Sequence, residues 1–359
     1  MIYQRAALRE FANTSIAVFV ALFAILLTTQ LIRLLAEAAG GKLASEAVVA
    51  LLGFGAINYL PVLLSLTLFI AVLLSLSRAY RDSEMVVWFA SGVPLTAWIR
   101  PVMTFAVPFV VIIATLSMFL SPWALSKSAE FRQKLKSRDD VSQVSPGTFR
   151  ESSMADRVFF VEAAAGNEGL VKNVFISSVQ HGRLGIMAAA QGRQQTMENG
   201  DRFLVLENGR RYEGAPGQAD YRVMEFERYA VRVETRESQG FVETPKSLSL
   251  LKLINNPTRQ NLGEVLWRIG IPLAALNLAL LAIPLSFVNP RAGRTNNLIF
   301  AILTYMIYSN LISVSQAWVT QGRLSFEIGV WLVHVVMFAL LLLLFWRRLV
   351  VFSWGRLWR

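Results

Sequence analysis

The chain has 359 residues, 54% of them hydrophobic and only 16% charged, with a net charge of +11 and a positive mean hydropathy. A soluble domain carries about a quarter charged residues; here the apolar residues gather in runs near the roughly 20 needed to cross a bilayer, which describes an integral membrane protein. Many of the basic residues flank those runs instead of alternating with stacking aromatics, which argues against nucleic acid as the partner. The absence of cysteine excludes disulfides, thiolate catalysis and Cys-based metal sites.

The first apolar run, Thr14 to Leu35, is long and is followed by no small-residue cleavage motif, so it is expected to stay as a membrane anchor. Further runs at Leu60 to Ser77, Ala97 to Leu120, Val265 to Val288, Leu298 to Val319 and Ile328 to Trp346 bring the expected transmembrane helices to six. Between the third and fourth lies a polar insert, Ala124 to Asn261. At about 140 residues it is far beyond a loop and must be a domain of its own. The predicted organisation is residues 1–123 with three helices, 124–261 as the inserted domain, and 262–359 with three more helices and a tail.

Orientation follows from the short connections. Arg5, Arg9, Arg78, Arg81, Arg100, Arg291, Arg294, Arg347, Arg348, Arg356 and Arg359 fall on one side, against Lys42 and Arg323 on the other. The first side is therefore expected to be cytoplasmic, with both termini inside and the insert outside.

After the second run comes "RAYRDSEMVVWFASGVP", Arg78 to Pro94. Arg81, Asp82 and Glu84 open it, and acidic residues suit a helix start; Met85 to Phe89 are apolar, and Gly92 and Pro94 end it. This predicts a short amphipathic helix outside the bilayer core, near residues 81–92. It could rest in lipid headgroups or insert into a cytosolic ATPase, with Glu84 as the charged contact and Arg81, Met85, Trp88 and Phe89 beside it.

The insert reads as β. "RVFFVEA", "KNVFISSV", "RFLVLENGRRYEG" and "YRVMEFERYAVRVET" are strand-like runs separated by turn residues. Met224 and Phe226 share one parity, whereas Tyr229, Val231 and Val233 take the other, as at a bulge or bend in a curved sandwich or jelly roll. Asn208-Gly209 is expected to be a hairpin turn, and about eight short strands would fit.

The search for chemistry is mostly negative. Gly41-Lys42 lacks both the preceding Gly and the following Ser or Thr of a phosphate loop. Two histidines, His181 and His334, allow no metal cluster, and no nucleophile elbow is present. No cofactor is expected. His334, in the last run, could relay protons or simply be packed, and packing is the expectation. The spans as drawn hold almost no carboxylates, with Glu264 at the edge of the fourth, which disfavours ion coupling; energy for transport would have to come from another subunit. At the outer edge, Arg33, Lys42, Arg268 and Arg323 stand against the orientation bias. Each could snorkel to headgroups, but four together suit a phosphorylated lipid, because guanidinium groups bind phosphate bidentately.

Six runs with a β insert, "LIRLL" closing the first run and "SEMVVWFASGV" after the second resemble the LptF/LptG family of lipopolysaccharide-export permeases. "GRRYEG", "WRIGIPL" and "IPLSFVNPRAGR" extend that resemblance over essentially the whole chain. "LIRLL" and the "NPRAGR" turn resemble the LptF branch more than its LptG paralogue. The resemblance implies a polytopic α-helical protein of a Gram-negative inner membrane, with a periplasmic jellyroll-like β domain. It implies pairing as an LptF–LptG heterodimer over an LptB ATPase dimer, joined by LptC, with lipopolysaccharide passed on to periplasmic LptA. By the same resemblance Glu84 carries the contact to LptB, Arg33 faces lipid A phosphates, and Arg268 and Arg323 are weaker candidates for that role. Phe226, Tyr229 and Val231 are strand-face guesses for a lipid path through the β domain. Two alternatives stay open, a non-transporting scaffold that moves an outer domain mechanically and a secondary transporter.

Overall fold

The computed structural model describes residues 2–40, 43, 45–142, 149–151, 157–165, 170–180, 183–196, 202–214, 222–234, 244–287 and 294–349. They divide into a helical unit, Met1–Ala129 with Glu243–Arg359, and a β unit, Glu130–Val242. The β unit is thus narrower than the polar insert, because the chain after it packs against the helices.

The helical unit contains α1 (Ile2–Ala39), α2 (Ala47–Arg81), α3 (Glu84–Ala90), α4 (Ile99–Thr115), the start of α5 (Ser121–Ser142), α6 (Leu250–Asn255), α7 (Arg259–Leu285), α8 (Arg294–Gln321) and α9 (Phe326–Leu349). A π turn, Leu116–Leu120, joins α4 to α5. Six stretches are long and apolar enough to cross a membrane: Tyr3–Ala39, Ala47–Arg81, Leu95–Gln133, Arg259–Leu285, Ile299–Gln321 and Phe326–Leu349. Each predicted span has its helix. The helices overrun the apolar runs because polar flanks continue the backbone hydrogen bonding.

In lipid there is little hydrophobic force between helices, so close packing of small residues holds them together. The most buried spans are α2 and α7, and α7 touches α2, α4, α8 and α9. It can do so because its contact faces are narrow. A Cβ on Gly263 would collide with Thr320 of α8, and one on Gly329 of α9 would sit 3.1 Å from Leu266 of α7. Prolines inside the helices free carbonyls four residues earlier. The Arg268 carbonyl, orphaned by Pro272, accepts the Ser117 hydroxyl at 3.1 Å.

His334 is packed, as expected. Asn277 donates to the Tyr308 hydroxyl (3.0 Å) and to the His334 carbonyl (3.1 Å), and that hydroxyl lies 2.7 Å from His334 Nδ1. With Asn277 occupying the Tyr308 oxygen as acceptor, the Tyr308 proton is best used on Nδ1, which leaves a neutral imidazole. Each such bond contributes about 0.6 kcal/mol; together they tie α7, α8 and α9.

Among the described residues the β unit is one antiparallel sheet of six strands paired in sequence order: β1 (Phe149–Glu151), β2 (Arg157–Ala165), β3 (Leu170–Gln180), β4 (Arg183–Thr196), β5 (Arg202–Gly214) and β6 (Arg222–Glu234). About eight short strands were expected; the described residues form six, of which β4, β5 and β6 are long. The crossing connections of a jelly roll do not occur among the described strands.

A crease runs across this sheet. Glu162, Asn173, Ala190, Asn208 and Glu227 would face one another, yet every ladder skips this row. Asn173 (φ 49°) and Asn208 (φ 53°) adopt left-handed backbone there, which asparagine tolerates better than most residues, and Asn173 donates to Glu162 along the row. The expected Asn208-Gly209 hairpin is therefore incorrect. The pair lies inside β5, and the left-handed residue bends a strand instead of reversing it. Parity switches at the crease, as the β6 pattern indicated. Val174, Ile176, Met187, Ala189 and Phe226 on one side share a core with Leu206 and Val231 on the other. Gly209 sits opposite Phe226, and a Cβ there would lie 2.6 Å from both the Phe226 ring and the Ala188 carbonyl. Gly209→Val should cost about 1–3 kcal/mol, read as faster limited proteolysis of the β unit in the full-length protein. Unchanged proteolysis would contradict the close approach.

Candidate functional site

Three regions hold the residues singled out by the sequence. The first is α3, at the end of the bundle where α1 begins and α9 finishes. Ser83, with φ 62°, turns the chain out of α2. The helix closes in a Schellman motif: Val93 N–H donates to the Trp88 carbonyl (3.1 Å), Gly92 N–H to the Phe89 carbonyl (3.0 Å), and Gly92 takes φ +86°.

The seven residues of α3 divide by helical spacing. Met85 is 1% exposed, and Trp88, one turn on, packs against Tyr3 (ring centroids 5.8 Å apart), which also meets Trp98 at 5.7 Å. Both side chains hold the helix to the bundle; Met85 is fully covered within the chain, while Trp88 is half-buried and keeps part of its surface exposed. The outward side carries Val86 (63% exposed), Val87 (66%) and Phe89 (39%). Val86 and Val87 were not singled out individually, although a 3.6-residue period that turns 85 and 88 inward leaves 86 and 87 outside.

Arg78 ties the surroundings together, with Glu10 at 2.9 Å, Glu84 at 3.0 Å and Asp82 at 3.3 Å. It is partly exposed, so each pair is worth little alone, but the set joins α1, α2 and the start of α3. Glu84 remains on the surface with one oxygen engaged by Arg78, and Arg81 pairs with Asp82 at 3.3 Å. Behind α3, Tyr80 packs edge-on against Phe287 (5.4 Å), over which the Arg348 guanidinium lies at 4.0 Å.

The second region is the opposite end of the bundle. Arg33 is 68% exposed on α1, with Glu37 one turn on at 3.4 Å. Arg323 is exposed in the α8–α9 turn, where its N–H donates to the Trp318 carbonyl. Arg268 does not belong with them. It is 2% exposed, paired to Glu264 at 3.0 Å, and donates to the Pro245 and Lys246 carbonyls. Glu264 lies within α7 rather than at its edge, because the helix begins at Arg259. Lys42 lies outside the described residues. The sequence reading overlooked Arg259, which covers Gly322 (φ +74°) beside Arg323; a Cβ there would fall 2.6 Å from Arg259 Nη1. A cation in the first turn of α7 opposes the helix dipole, and that was the available signal.

The third region is a groove of about 990 Å³ in the β unit. One transverse row of residues, Phe149, Phe160, Phe175, Ala188, Arg210 and Glu225, runs along it. Phe149 and Phe160 lie 4.6 Å apart, and Arg210 bonds Glu225 at 3.1 Å. Phe226 forms part of its wall. Tyr229 and Val231 pack with Phe226 in the core. No group of three or more His, Asp or Glu able to hold a metal occurs among the described residues.

The two faces of α3 should respond differently to truncation. Met85→Ala is expected to destabilise by about 2–5 kcal/mol, whereas Val87→Ala should stay within about 0.5 kcal/mol, measured as thermal stability of the detergent-solubilised protein. Equal losses would contradict the assignment of faces.

Comparison with known proteins adds a family. Residues 5–347 match the model described as lipopolysaccharide export system permease LptF/LptG. The chain is 26% identical over 347 residues to the lipopolysaccharide export system permease protein LptF of Escherichia coli (strain K12), covering 96% of this chain and 94% of the relative. The protein of the same name from Shigella flexneri matches to the same extent.

Proposed function

The chain belongs to the LptF/LptG family of lipopolysaccharide export system permeases, and from that premise we propose how it works in the inner membrane: it lifts lipopolysaccharide from the outer leaflet while a separate subunit hydrolyses ATP. Both termini and α3 face the cytoplasm, and the β unit faces the periplasm, as the distribution of Lys and Arg favours. The outer face of α3 docks on an LptB-type ATPase dimer. An LptG-type paralogue completes the permease, with LptC beside it and LptA receiving the lipid.

The observation that carries this proposal is the two-sided apolar character of α3. Its inner side is held in the bundle by Met85 and Trp88, while Val86, Val87 and Phe89 remain on the surface. Surface apolar patches of this kind mark contact sites. Glu84 adds the charged contact, sharing its carboxylate with Arg78.

At the other end, Arg33 engages the lipid phosphates. Its pair with Glu37 is exposed and weak, so the guanidinium can exchange a carboxylate for a doubly hydrogen-bonded phosphate. Arg323, with Arg259 beside it, offers a second basic position. The apolar faces of α1 and α8, largely uncovered within this chain, suit acyl chains or the paralogous permease. In the β unit, the groove along Phe149, Phe160 and Phe175 takes acyl chains on the way out, with Phe226 in its wall and Tyr229 and Val231 supporting it from the core.

A photocrosslinking probe at position 33, in the assembled complex, should form an adduct with lipopolysaccharide that diminishes when ATP drives the lipid forward. No adduct in a complex that still hydrolyses ATP would reduce Arg33 to a headgroup anchor. Arg33→Glu should weaken the lipid contact without disassembling the complex; disassembly would contradict this division of roles.

A further inference from the structure

We propose that Arg268 is a positioning residue that fastens both chain connections of the β unit to one turn of α7, so that movement of α7 reaches the β unit during lipid handover. This rests on the export function proposed above. Arg268 and Glu264 are 2% and 6% exposed, and Nε and Oε1 are 3.0 Å apart. Beyond this pair, the guanidinium Nη2 donates to the carbonyls of Pro245 (3.2 Å) and Lys246 (3.1 Å). Pro245–Ser247 is the first described turn after the β unit.

The outgoing connection is fastened to the same residue. Pro272 has no N–H, so the Arg268 carbonyl lacks its helical partner, and Ser117 occupies it at 3.1 Å. Ser117 belongs to the π turn Leu116–Leu120, roughly three turns before the helical unit ends at Ala129. Such turns interrupt helices at functional points and hinges. One residue therefore binds the departing strand of chain through its backbone and the returning one through its side chain.

Simple packing does not require this arrangement. A buried ion pair can often be replaced by apolar side chains without loss of stability. What an apolar pair cannot supply is the pair of hydrogen bonds to the Pro245–Lys246 backbone. Both side chains face inward, so neither is a lipid contact.

The test uses the full-length chain in the assembled complex in lipid vesicles containing lipopolysaccharide, with photocrosslinking probes at position 33 or at position 160 in the β groove. Glu264→Met with Arg268→Met removes the side-chain half of the fastening, at Pro245 and Lys246, while keeping the pair apolar and compact. Thermal stability, ATP hydrolysis and the position-33 adduct should match the unaltered protein, while the position-160 adduct falls at least about five-fold, the lower end of ordinary coupling between sites. Ser117→Ala, which leaves the ion pair intact, should lower the position-160 adduct alone and to a smaller degree. An unchanged position-160 adduct in both variants overturns the proposal, as does a parallel loss of stability and of both adducts, which marks a structural staple. If the double variant does not fold, an unchanged Ser117→Ala protein is sufficient to overturn it. Absence of both adducts in the unaltered protein instead counts against the export function itself, and removes the premise.

Discussion

Close packing around α7 is the constraint on which the helical unit depends. Between helices in lipid, attraction comes from contact and from hydrogen bonds rather than from release of water. One helix can touch four neighbours only if its surface is narrow where they meet, and the glycine contacts at Gly263 and Gly329 provide that narrowness. The polar groups of α7 then find partners on those neighbours: Asn277 on Tyr308 and His334, and the Arg268 carbonyl on Ser117. The least covered apolar surface belongs to α1, followed by the span Leu95–Gln133 and by α8. A well-packed centre thus coexists with faces left for lipid or for another membrane subunit.

Chemistry is correspondingly sparse, and that suits a permease. Among the described residues, the buried Glu264 is paired with Arg268 and the buried His334 with Tyr308. Function lies at the ends. One end presents a short helix held by its inner side chains and apolar outside; the other presents exposed guanidinium groups near the bilayer edge. On the proposed function, energy delivered to the first end would travel through helices gathered on α7 to influence the second.

Much of this was legible from the sequence. Six apolar runs became six helices because hydropathy over 20 residues is a strong signal in a chain that must satisfy its own backbone in lipid. The parity switch from Phe226 to Tyr229 was legible for a similar reason: alternation in a strand is local, and its failure marks the place where the sheet turns over. The Asn208-Gly209 misreading shows the limit. Asparagine before glycine indicates a left-handed residue, but only pairing across the sheet tells whether that residue ends a strand or bends it. Arg268 was misplaced because helix position reveals depth in the membrane but not the neighbours; Glu264, one turn away, and the returning chain at Pro245 bury it. Short α3 was recognised, but the apolar run Met85 to Phe89 does not declare which of its sides the bundle will take.

The central claim is that energy enters through the outer face of α3. Site-specific photocrosslinking across this helix in the assembled complex tests it most directly. Probes at positions 86 and 87 should form adducts with the ATP-hydrolysing subunit, while a probe at 85 should be captured within the chain itself. Adducts at 86 and 87 with phospholipid alone, in a complex still hydrolysing ATP, would contradict the claim and return α3 to the headgroup layer.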